Sequence, residues 1–116
     1  MTKLIIDDLR ILNIPGEVVY ARTVGAALAY LQTDSSWEEI YLDHDLGFKT
    51  GRYEDIWDVI EYFETRMVEN PIKVGQIFII TANPVGRQKM KLVFDKMGYP
   101  TTVLDPNPLL GGILPW

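Results

Sequence analysis

The sequence predicts an α/β domain built on a mostly parallel, five-stranded sheet, and three observations lead to it. Short apolar runs that read as strands alternate with segments of helical periodicity, the pattern of strand and crossover in a parallel sheet covered on both faces. Several of those runs close on polar residues, as strands do when their carboxyl ends line a crevice. The chain has 116 residues, 47% apolar and 23% charged, which suits one hydrophobic core and is too apolar for disorder, so residues 1–116 are read as one domain.

The first strand is residues 3–6, an apolar run closed by Asp7 and Asp8. The second is residues 18–22. The connection between them contains Pro15-Gly16 and is shorter than the dozen or so residues of a helical crossover. A loop is expected there, with the first crossover helix shortened or absent, or else an edge strand with unusual pairing. Thr23 caps a helix in which Val24, Ala27, Leu28 and Leu31 share one face, while Gly25 and Ala26 allow close approach to the sheet.

The third strand, residues 39–42, runs into Asp43, His44 and Asp45, and residues 46–52, with Gly47 and Gly51, read as a loop. Residues 53–69 form the clearest helix. Ile56, Ile60, Phe63 and Met67 make its apolar stripe, backed by Val59, and Glu54, Asp55, Asp58, Glu61 and Glu64 face water. The fourth strand is residues 76–80. Asn83 as N-cap and Pro84 at the first helical position then start a helix that buries Met90, Val93, Phe94 and Met97 and stops at Gly98. Its Lys89, Lys91 and Lys96 lie outside. The fifth strand is residues 101–104, and residues 105–116 form an apolar tail carrying Leu109, Leu110, Ile113, Leu114 and Trp116. That tail is expected either to pack on its own domain or to dock on another chain, a second copy included.

Composition excludes several function classes. A net charge of −5 removes diffuse attraction to nucleic acid or anionic membrane as a driver of binding, so no double-stranded DNA groove binding is expected and a phosphate ligand needs a local cation. Without cysteine there is no disulfide, thiolate metal site or cysteine nucleophile, which fits a reducing cytosol. The opening MTKLIIDD is not a signal peptide, and no apolar run reaches membrane-spanning length. A cytoplasmic location and no membrane partner are expected.

The chemistry collects at the strand ends. Asp7 and Asp8 close the first strand, Asp43, His44 and Asp45 the third, and Thr81 and Asn83 the fourth. Singly, each has a plain structural explanation: Asp favours turns, Asn83-Pro84 starts a helix, and a lone histidine is commonly a surface residue. Three polar strand ends at once point to a site. Crowded carboxylates repel one another, and a divalent cation offsets that repulsion. Mg²⁺ or Mn²⁺ suits oxygen ligands and leaves room for a phosphate. Next to it, the helix beginning at Pro84 is expected to offer free amides at Val85 and Gly86, with Arg87 one residue on.

The order IIDD, YLDHDLG and IFIITAN resembles a receiver domain, a flavodoxin-like three-layer sandwich. By that resemblance Asp7 and Asp8 hold the metal, Asp43 matches the phosphoacceptor, and Thr81 contacts the phosphoryl group. The lysine that ends a receiver's fifth strand is Asp105 here. A closer resemblance is to the cyclic-phosphate processing receiver domain, a family common in phage and bacterial genomes. Its motifs are matched by IDDLR, by LDHDLG with Thr50-Gly51 following, and by ITANPVGR. The histidine that the family carries before its Ser/Thr is Ile80 in this chain.

The resemblance implies a metal-dependent domain that handles a phosphate, most simply a cyclic phosphodiester on an RNA end or nucleotide, in the host cytoplasm if phage-encoded. Asp7, Asp8 and Asp43 would hold the metal. His44 would be general acid or base, with Asp43 and Asp45 beside it in the catalytic set. Thr81, Asn83, the Val85 and Gly86 amides, Arg87 and Arg10 would hold phosphate oxygens. The alternatives are a phosphate-binding module without turnover, favoured by Ile80, and a protein-interaction module that uses the tail.

Overall fold

The computed structural model describes residues 2–49 and 52–113. Five parallel strands form the central sheet: β1 (Lys3–Ile6), β3 (Val18–Ala21), β4 (Ser36–Leu42), β7 (Lys73–Ile79) and β8 (Thr101–Val103), in the order β3-β1-β4-β7-β8. This is the receiver-like, flavodoxin-like arrangement. Three helices follow strands: α1 (Val24–Thr33), α2 (Trp57–Val68) and α3 (Pro84–Lys96). β1 is buried along its whole length between β3 and β4, as its unbroken apolar run requires.

The helix ends follow the capping residues. Thr23 Oγ1 accepts from the Ala26 amide at 3.1 Å, and Asn83 Oδ1 caps α3. Gly98 closes α3 with φ +88°, a backbone region in which a Cβ is strained.

All three helices pack on one face of the sheet. Their buried residues, among them Ala27, Leu31, Val59, Phe63, Met90 and Phe94, join Leu4, Ile6, Ile40, Leu42, Ile77 and Ile79 in one core. Strand alternation sends Ile5, Tyr41 and Phe78 to the other face. The covering layer there is a ribbon: β2 (Arg10–Leu12), inside the first connection, pairs antiparallel with β9 (Leu110–Ile113) in the tail. Leu12, Ile14 and Leu109 pack onto Ile5, Tyr41 and Ile80. The first connection thus replaces a helix with a strand, and the tail packs on its own sheet through Leu109 while Ile113 stays 62% exposed. Leu114 and Trp116 lie outside the described residues, as does the Thr50-Gly51 pair.

Two further element assignments differ from expectation. The segment read as a loop forms a hairpin, β5 (Asp45–Lys49) with β6 (Arg52–Asp55), pairing Asp45 with Asp55 and Lys49 with Arg52. Its register shifts between Asp45 and Phe48, where Gly47 sits; a glycine that reads as a loop signal also permits a bulge. Helix α2 consequently starts at Trp57, because residues 52–55 are held in the hairpin. The Asp55 carboxylate accepts from the Trp57 amide at 3.0 Å, and the Ile56 amide donates to the His44 carbonyl at 2.9 Å.

Candidate functional site

Register builds the site. Ile6 pairs with Leu42, and Leu42 with Ile79, so the next residues, Asp7, Asp43 and Ile80, stand level across three neighbouring strands. The Asp43 amide donates to the Ile6 carbonyl at 2.9 Å and the Ile80 amide to the Leu42 carbonyl at 3.0 Å, which extends the ladder to that level. Asp7 and Asp43 are buried at 1% and 7% exposure. With Asp8 they supply one carboxylate oxygen each, all within 4.8 Å of one another. The acidic cluster expected from two separate strand ends is therefore assembled.

Each carboxylate is held by identifiable partners. Asp7 Oδ1 accepts from the Leu9 and Arg10 amides, both at 2.9 Å, and its Oδ2 accepts from Arg10 Nη1 at 2.9 Å. Three donors leave about one of the four lone-pair positions of a carboxylate for a further contact. The Thr81 hydroxyl donates to Asp43 and receives the Asn83 amide at 3.2 Å. Burial, and next the charge of Asp7, push the Asp43 carboxyl up to about 6, against the opposing pull of Arg10 and of the Thr81 hydrogen bond. This surplus of buried negative charge on an all-oxygen donor set fits a hard divalent cation.

Arg10 spans the site: besides Asp7, its Nη1 reaches the Ile80 carbonyl at 3.2 Å. Arg22, which the sequence reading assigned no role, orders this corner. Its Nη1 donates to the Arg10 carbonyl at 2.6 Å and the Asp7 carbonyl at 3.3 Å, and its guanidinium lies 4.2 Å from the Tyr20 ring centroid. The available signal was its position as a polar residue at the end of the second strand.

One expected role is corrected, and one residue is set apart from the carboxylates. The Val85 and Gly86 amides are not free for phosphate, since both donate to Asn83 Oδ1, at 3.1 and 3.0 Å. The same Asn83 that starts the helix consumes its first donors. His44, one residue past Asp43, is turned to the helix side. Its ring meets Trp57 edge-on with centroids 6.2 Å apart and packs against Gly86, while Nδ1 lies 2.9 Å from Asp45 Oδ1. Consecutive residues leaving a strand point to opposite faces, so Asp43 joins the carboxylates while His44 turns to the starts of α2 and α3, and Asp45, already in the hairpin, contacts the ring nitrogen.

Of the remaining candidates, Arg10, Thr81 and Arg87 line a cavity of about 440 Å³. Asp105 and Asn107, from the turn after β8, line it with them. Ile80, fully buried, shows its side chain to Ile5, Leu12 and Tyr41 on the ribbon face.

A parallel sheet with an aspartate trio at the carboxyl ends of its central strands defines a receiver-like domain. The family model described as the cyclic-phosphate processing receiver domain matches residues 2–96, and the chain belongs to that family. No curated protein and no solved structure matches it.

Proposed function

We propose that the aspartate trio is a divalent-cation site at which the chain binds and opens a cyclic phosphodiester, on a nucleotide or an RNA end. The observation that carries this reading is the convergence of the Asp7, Asp8 and Asp43 oxygens within 4.8 Å, in a family named for cyclic phosphates. A bound cation would polarise a phosphoryl oxygen and balance the carboxylate charge. The protein's own groups have separate tasks. Arg10 and Thr81 hold Asp7 and Asp43 in place. Arg87 has no ion-pair partner among the described residues and offers its guanidinium to a phosphate oxygen from across the cavity. Asn83 retains its amide N–H₂ donors, because only its oxygen is engaged in the cap. His44 acts as a positioning residue, fixing the first turn of α3 from beneath Gly86.

The test is calorimetry with Mg²⁺ and Mn²⁺, followed by hydrolysis of 2′,3′-cyclic nucleotides in each metal. Metal uptake and turnover, both lost in Asp43→Asn, are expected. Absence of metal uptake by the parent protein would defeat the proposal.

A second reading is binding without turnover, and Ile80 favours it. The residue level with Asp7 and Asp43, where the resemblance places a histidine, carries no titratable group, so no imidazole stands in that row. Tight nucleotide binding with no product in single-turnover conditions would select this reading over the first.

A further inference from the structure

The cavity beside the trio has two chemically different ends. Thr81 and Arg10, which contact Asp43 and Asp7, form the end nearest the carboxylates. Asp105 and Asn107 form the other, delivered by the turn that follows β8. Asp105 Oδ1 accepts the Asn107 amide at 3.0 Å, which fixes that carboxylate at the cavity rim. Two of a carboxylate's four or so lone-pair positions sit on the second oxygen, so acceptor capacity remains. The volume, about 440 Å³, is within the range of small-molecule sites, roughly 300–1,000 Å³.

An anion at this far end repels a second phosphate and attracts N–H donors. The part of a cyclic-phosphate ligand that extends into the cavity is therefore uncharged and carries donors. Leu104 gives the lining an apolar surface for a ring face. A nucleobase has all of these properties.

We propose that this cavity is the nucleoside subsite of the cyclic-phosphate site and that Asp105 selects guanine; the proposal rests on the reading of the aspartate trio as the phosphate site. Guanine presents N1–H and the N2 amino group side by side, two donors for one carboxylate. Adenine sets its amino donor between two ring acceptors. Cytosine pairs one amino donor with an acceptor, and uracil flanks its single N–H with two carbonyls. Each of these three turns a lone pair toward Asp105, which leaves it facing an acceptor.

The experiment measures binding of the 2′,3′-cyclic phosphates of guanosine, adenosine, cytidine and uridine, and of inorganic phosphate, to the full chain with Mg²⁺ present. Asp105→Asn keeps an oxygen for the Asn107 amide and removes the charge, so the turn survives; thermal melting of the variant verifies that. The guanosine ligand is expected to bind roughly tenfold or more tighter than the other three. In Asp105→Asn that preference should fall to within about threefold, with inorganic phosphate affinity unchanged. Equal affinity for all four bases, or a guanine preference that persists in Asp105→Asn, overturns the subsite while leaving the phosphate site standing. Failure of inorganic phosphate and of every nucleotide to bind removes the phosphate reading, and this proposal with it.

Discussion

Gly86 leaves the space that His44 fills: a Cβ at position 86 would stand 2.5 Å from Cδ2 and 2.8 Å from Cγ of the imidazole. No such contact is tolerated between real atoms, so the ring and the first turn of α3 are fitted to one another. The pair joins the strand that ends in Asp43 to the helix that begins after Asn83, which makes it a structural link within the site. Asp45, at 2.9 Å from His44 Nδ1, holds the ring on its other side.

Substituting Gly86→Ala is expected to destabilise the fold by about 1–3 kcal/mol, from overpacking against the ring. Helix propensity alone would predict the reverse sign, since alanine is about 1 kcal/mol better than glycine in a helix. Adding His44→Ala to the first substitution should recover most of the loss. Denaturant unfolding of the two single variants and the double variant measures the coupling, and additive losses would disprove the packing relationship.

Asp43 sets a pH dependence of stability in the metal-free protein. Its carboxyl is raised from 3.8 to about 6, so between those values the folded state binds more protons than the unfolded state. Stability therefore falls as pH rises through that window and stays lower above it, by up to about 3 kcal/mol. Asp43→Asn removes the titration. The variant should be more stable than the parent by about 1–3 kcal/mol at pH 8 in chelator, with the difference vanishing near pH 4. A variant less stable than the parent at pH 8 would contradict this assignment.

Divalent cations should act on the parent and hardly at all on Asp43→Asn. Saturation at about one hundred times the dissociation constant stabilises the parent by about 2.7 kcal/mol and leaves Asp43→Asn almost unchanged. Thermal melting with Mg²⁺, Mn²⁺ and chelator reads the difference, and an equal shift in both proteins would place the ion elsewhere.

Ile80→His tests the distinction between binding and turnover. The side chain at this position is fully buried among Ile5, Leu12 and Tyr41, so the substitution is expected to destabilise by about 2 kcal/mol. It also adds a titratable group level with Asp43. If the parent only binds, hydrolysis of a 2′,3′-cyclic nucleotide should appear in the folded variant. A folded Ile80→His protein with no gain in turnover would argue that the missing histidine is not what limits the site.

Removing residues 110–116 deletes β9 and leaves β2 without its partner. The unfolding midpoint should drop, and the Ile11 and Asn13 region should lose protection from hydrogen exchange. Unchanged stability would mean that the ribbon adds nothing to the sheet it covers.

Much of this fold was legible because its signals are local. The apolar run of β1, the Thr23 and Asn83 caps and the Gly98 stop each depend on a few adjacent residues, and all lie where the sequence reading put them. The hairpin at Asp45–Lys49 and Arg52–Asp55 was not legible, since Gly47 carries the same signature in a loop and in a bulged strand. The ribbon was missed for a different reason. Arg10–Leu12 and Leu110–Ile113 come from opposite ends of the chain, and neither is a strand until the other is beside it.

The sequence by itself determined that acidic residues would meet at the carboxyl ends of parallel strands, because polar residues closing apolar runs need no further information to be placed there. Only the tertiary structure decided which of them share a pocket. Adjacent residues leaving a strand face opposite sides, and the level of each is set by hydrogen bonds to a strand distant in sequence. Asp43 therefore joined Asp7, whereas His44, its immediate neighbour, went to the helices.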